Sequence, residues 1–132
     1  MQATVKWTGG LAFAGETDSG YHINMDGDKQ DISPMESVLV AVGACSSVDV
    51  VEIMRKARQN MQDCRCELQA ERADDAPRVF TKIHAHYVVT GTDINEKHVA
   101  RAVQLSAEKY CSVMMMLHDS VAITTSYAIE QA

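Results

Sequence analysis

The segment from Pro34 to Asn60 constrains this chain most. Up to Val51 it is apolar on nearly every face, because Val38, Leu39, Val40, Ala41, Val42, Ala44, Val48, Val50 and Val51 cannot share one helical stripe. Ser33 is a good N-cap, Pro34 suits the first helical position, and Glu36 stands three residues after the cap, as a capping box requires. A helix apolar all round is a buried helix. At about 1.5 Å per residue it would run roughly 40 Å if continuous. A chain of 132 residues has little material to bury such a rod on every side. A second subunit is therefore expected to help cover it, which predicts a homodimer. Beyond Val51, Glu52, Arg55, Lys56 and Arg58 mark a solvated end.

The hydrophobic fraction of 46% and charged fraction of 23% are those of an ordinary folded chain, and residues 1–132 suit a single domain. The formal net charge of −6 argues against nucleic acid and against anionic membrane surfaces. The most apolar stretch, Val38 to Met54, contains Ser46, Ser47, Asp49 and Glu52 and reads as too short and too polar for a membrane span. The start, MQATVKWTGG, lacks the charged and apolar regions of a secretory signal. The cytoplasm is the expected compartment, and there Cys45, Cys64, Cys66 and Cys111 are not presumed to be structural disulfides.

Around the helix the chain reads as strands. Gly9-Gly10 separates VKWTG from LAFAGE, and Tyr21 to Met25 alternates before the turn Asp26-Gly27-Asp28, so residues 2–26 predict a three-stranded meander. Residues 63–73 alternate, with Cys64, Cys66, Leu68 and Ala70 on one face. Val79 to Val89 alternates again, with Ile83, Ala85 and Tyr87 opposed to Lys82, His84 and His86, which predicts a hairpin with one buried face. Asn95 to Tyr110 carries Val99, Ala102, Val103, Ser106 and Tyr110 at helical spacing, Cys111 to His118 predicts a short second helix, and VAITTSYAI a last strand. The order βββ-α-ββ-αα-β predicts an α+β fold, its antiparallel sheets packed around the long helix.

Two cysteines stand in helical contexts. Cys45 lies between Gly43-Ala44 and Ser46-Ser47, whose small side chains would let another backbone or a ligand approach. Cys111 stands where one helix breaks and the next begins, where the helix dipole would lower a thiol pKa. The plain alternative for each is a small apolar core residue. Spacing does not say whether the two meet.

The run Ser33-Pro34-Met35-Glu36-Ser37-Val38-Leu39, followed by Gly43-Ala44-Cys45, resembles the cysteine-bearing helix of the OsmC/Ohr (osmotically inducible protein C, organic hydroperoxide resistance) family. Ala107 to Val113 resembles that family's second cysteine motif, and the order of elements fits over nearly the whole chain. The resemblance implies an OsmC-like fold as an intertwined homodimer and a stress-linked redox function. It also implies that Cys45 is the peroxidatic nucleophile and Cys111 the resolving thiol. The substrate would be a small organic hydroperoxide or other apolar ligand, the reductant a dithiol or lipoyl-type thiol, and no cofactor is implied.

Two departures bear on activity. Hydroperoxide reductases of the family use an Arg from the N-terminal strands, whereas this chain has none before Arg55, and Lys6 and His22 are the only basic residues of the meander. The family Glu follows the Pro directly, whereas Glu36 is one position late, about 100° around the helix, and is a candidate catalytic residue out of register. Asp49, one turn beyond Cys45, would raise that thiol's pKa. The missing Arg favours the competing reading, an OsmC-fold binding or interaction protein that keeps its thiols without peroxidase activity.

Cys64-x-Cys66 and His84-x-His86 invite a zinc reading, but alternation sends the cysteines to the buried face and the histidines to the wet one, and side chains on opposite faces cannot share an ion. No metal is expected. Met114-Met115-Met116 reads as core more readily than as pocket lining.

Overall fold

The structure, a computed structural model, describes all 132 residues. They form two compact units, Met1–Val40 and Ala41–Ala132. In the first, strands β1 (Ala3–Gly9), β2 (Ala12–Thr17) and β3 (His22–Asp26) make the antiparallel meander that the turn signals predict. Gly9 and Gly10 take φ of 124° and 55° at the first turn, a region that favours glycine. At the end of β3 the Asp26 carboxylate receives the Asp28 amide at 2.7 Å, closing an Asx turn. Pairing of Trp7 with Phe13, Val5 with Gly15, and Gly15 with Ile23 puts Val5, Trp7, Phe13 and Ile23 on one sheet face, where all four stay exposed.

Helix α1 (Pro34–Lys56) starts in the first unit and continues in the second. Its capping box is reciprocal. The Glu36 amide donates to Ser33 Oγ at 3.1 Å, and the Ser33 amide to Glu36 Oε1 at 2.9 Å. At 23 residues α1 extends beyond the apolar stretch Val38 to Met54 and is long and apolar enough to cross a bilayer by length and composition alone, a test that the core helix of a soluble protein also passes. It ends before Asn60, with Arg58 at φ 57°. The Gln59 amide reaches Met54 O and the Arg58 amide Arg55 O, a Schellman arrangement built without glycine. Only one face of α1 is buried in the chain, the stripe Val42, Gly43, Ser46, Val50 and Met54, whereas Val40 and Val48 on other faces are 55% and 57% exposed.

The second unit holds the three-stranded sheet β4 (Asn60–Arg72), β5 (Phe80–Thr92) and β6 (Ala122–Gln131). The hairpin β4–β5 is antiparallel, with Cys66 opposite Tyr87 and Leu68 opposite Ala85. The inward residues of β5, Ile83, Ala85, Tyr87 and Val89, are at most 1% exposed and form the centre of the core. Strand β6 departs from the antiparallel expectation. It runs parallel to β5, from Lys82 beside Ala122 to Gly91 beside Gln131. A parallel neighbour needs a long crossover, and the helical segment between β5 and β6 supplies it.

That segment is not one amphipathic helix to Tyr110. Helix α2 (Glu96–Leu105) passes into a π-helical turn, Ser106–Tyr110, and then helix α3 (Ser112–Leu117). The π turn closes through the Cys111 amide, which donates to Ser106 O at 2.8 Å. A π turn takes one residue more than an α turn and so re-aims everything after it.

Candidate functional site

Tyr87 is the middle of the site. It points inward from β5, is 1% exposed, and its hydroxyl donates to Ser46 Oγ at 2.6 Å. Ser46, on the buried stripe of α1 beside Cys45, donates in turn to Val42 O at 2.8 Å, one turn back. From the crossover, the Ser106 hydroxyl faces two acceptors, Ser46 O at 3.1 Å and Asp49 Oδ2 at 2.9 Å. Ser46 and Ser106 are fully buried. No buried side-chain nitrogen or oxygen lacks a partner, so the network carries no desolvation penalty left unmet.

The thiols sit around this network, all four free. Cys111 is fully buried, caps α3 and accepts the Met114 amide at 3.5 Å. Burial pushes its pKa up to about 11. The Met114 amide pulls the other way but loses, and the adjacent Cys45 thiol, by hydrogen bonding and by charge, raises it further. The expectation that a helix terminus lowers the Cys111 pKa is therefore overturned. One short turn of peptide dipoles does not offset removal of the thiolate from water. Cys45 is half-buried on α1. Although remote in sequence, it acts on the Cys111 thiol.

Cys64 and Cys66 share the inward face of β4 and are half-buried. Burial raises both, Cys64 with help from the Asp63 carboxylate. Cys66 rises to about 11, although the hydroxyls of Tyr87 and Ser47, within its reach, lower it. Burial, with Cys66 and Cys111 nearby, also pushes the Tyr87 phenol up. These groups stay protonated at neutral pH.

Glu36 is exposed, and its carboxylate is held below the usual range by the Ser33 amide and hydroxyl, the mark of a capping residue. Asp49 accepts from Ser106. The histidines leave from the opposite face to the cysteines but are not simply solvated. His84 Nδ1 meets Thr124 Oγ1 at 2.7 Å, and Ser126 Oγ lies 2.8 Å from His84 Nε2 and 2.7 Å from His86 Nδ1. Parallel register sets these hydroxyls beside the rings. No three His, Cys, Asp or Glu side chains converge as a metal cluster. Met114 is core, at 1% exposure, whereas Met116 is 74% exposed.

The sequence does not mark Tyr87 and Ser46 as site residues, and it shows Ser106 only as part of a helical stripe. The usable signal is a serine at a core position, 46 and 106, which demands a buried partner.

The sequence profile of the OsmC-like proteins matches residues 27–126. Protein YhfA of Escherichia coli strain K12 is 54% identical over 134 residues, with 100% of both chains covered. A hypothetical protein of Aquifex aeolicus, solved as a crystal structure, is 31% identical with a TM-score of 0.91, covering 99% of this chain and 96% of its own. The organic hydroperoxide resistance protein OsmC of Legionella pneumophila shares the fold at a TM-score of 0.72 and 15% identity, covering 97% of each chain. On the strength of the profile match and the full-length relative, this chain belongs to the OsmC-like protein family.

Proposed function

We propose that the protein is a thiol-dependent reductase of small organic hydroperoxides, acting in the cytoplasm. The observation that supports this reading is a buried Cys111 thiol on which the half-buried Cys45 thiol acts. The name of the Legionella relative points the same way. In the first step the Cys45 thiolate attacks the terminal peroxide oxygen. The O–O bond breaks, Cys45 becomes a sulfenic acid, and the alkoxide leaves as an alcohol after taking a proton. In the second step Cys111 gives its proton to the sulfenic oxygen as its sulfur attacks the Cys45 sulfur. The S–S bond forms and the sulfenic oxygen departs as water with the thiol proton. A dithiol or lipoyl-type reductant then returns two electrons by exchange and is itself left as a disulfide.

A homodimer belongs to this reading. Its support is the exposed row Val5, Trp7, Phe13 and Ile23 together with Val40 and Val48 on α1, more apolar surface than one chain covers. The test is to titrate reduced protein with one equivalent of cumene hydroperoxide and follow the thiols by mass spectrometry. A Cys45–Cys111 linkage that forms far faster than free thiol reacts, and not in Cys45→Ser, is expected. Equal peroxide consumption by wild type and Cys45→Ser would remove the enzyme reading.

The absence of any Arg before Arg55 favours a second reading, an OsmC-fold binding protein whose thiols are not peroxidatic. It predicts the equal-consumption outcome.

A further inference from the structure

Ser106 touches the backbone on both sides of the thiol pair. Its hydroxyl shares one proton between two acceptors, the carbonyl of Ser46, the residue after Cys45, at 3.1 Å and Asp49 Oδ2 at 2.9 Å. Its own carbonyl receives the Cys111 amide at 2.8 Å and so closes the π turn. One residue therefore ties the Cys45 segment to the Cys111 segment through its two oxygens. The π turn supplies the phase. Without its extra residue Cys111 would be rotated by about 100°. Tyr87 braces the same point from β5 by donating to Ser46 Oγ.

From this geometry we infer that Ser106 is a positioning residue that sets the approach of the Cys111 sulfur to the Cys45 sulfur. The inference rests on the reading of the two thiols as a redox pair. It does not require that the oxidant be a hydroperoxide.

The test equilibrates whole protein with glutathione buffers. Oxidised glutathione takes two electrons from the two thiols, leaving one intramolecular disulfide and two molecules of reduced glutathione. The ratio of squared reduced to oxidised glutathione concentration at half-closure gives the effective concentration of Cys111 at Cys45. Ser106→Ala is expected to lower it about tenfold or more, since small misplacements of reacting atoms have large effects. Alkylation of Cys45 by iodoacetamide in the reduced protein should stay within about twofold of wild type, and Ser106→Thr, which keeps the donor, should restore closure. A purely structural role would shift the melting temperature and leave the ratio alone.

Wild-type effective concentration in a folded Ser106→Ala overturns the inference. Should Ser106→Ala not fold, the isosteric pair Ser106→Val and Ser106→Thr decides. Only Thr keeps the donor, so Ser106→Val is expected to close about tenfold less well than Ser106→Thr, and equal closure would overturn the inference. Closure in glutathione that depends on Ser106, without reaction with cumene hydroperoxide, keeps the positioning role and removes the peroxidase reading. A peroxide-formed linkage indifferent to Ser106 does the reverse. Wild type that closes with neither oxidant overturns both.

Discussion

The Tyr87 hydroxyl donates to Ser46 Oγ across 2.6 Å, joining the middle strand of the second sheet to the helix that carries Cys45. Tyr87→Phe removes this donor while Ser46 keeps its bond to Val42 O. The expected loss is about 1 to 2 kcal/mol, read from urea unfolding. The same change withdraws a hydroxyl that lowers the Cys66 pKa, so Cys66 should alkylate more slowly at a given alkaline pH. Unchanged stability and unchanged Cys66 reactivity would contradict the bridge.

One buried and one half-buried thiol make the protein sensitive to alkali. Cys66 and Cys111 both move from 9.0 to about 11 in the folded chain. Between those values the unfolded chain has lost protons that the folded chain keeps, so stability falls as pH rises. It should be full below about pH 9 and decline through about pH 11, by roughly 2 to 3 kcal/mol for each thiol at most. Urea midpoints at pH 8, 9, 10 and 11 measure this, and Cys66→Ala should flatten the slope. A midpoint constant to pH 11 would refute it.

Arg58 holds a left-handed backbone, φ 57°, to finish α1. A side chain there carries a steric penalty that glycine avoids. Arg58→Gly is therefore expected to stabilise the protein by about 0.5 to 1 kcal/mol, seen as a higher melting temperature with the thiol chemistry unaltered. Destabilisation by the same amount would mean that the Arg58 side chain contributes more than its backbone strain removes.

Much of this architecture is written locally. Ser33 and Glu36 announce their helix start because a capping box involves only neighbours in sequence. The meander and the β4–β5 hairpin follow from alternation and turn residues. The parallel β6 was not legible, because an alternating strand looks the same whichever way its neighbour runs. For that reason the hydroxyls of Thr124 and Ser126 beside His84 and His86 were also hidden. The π turn was masked because its residues continue the helical stripe of α2. The end of α1 was misjudged by a few residues because its Schellman turn uses Arg58 where glycine would have been the signal. At the site, the cysteines could be singled out, whereas the direction of the Cys111 shift depends on burial, a tertiary property.

The parallel pairing of β6 has a consequence for folding. The crossover that joins β5 to β6 contains Cys111. The hairpin β4–β5 zips between neighbours in sequence, whereas the Cys111 segment is pinned at its far end only by a pairing that spans the whole crossover. Long-range parallel pairing is the slow kind of contact to form, so the Cys111 segment should acquire its amide protection after the hairpin does.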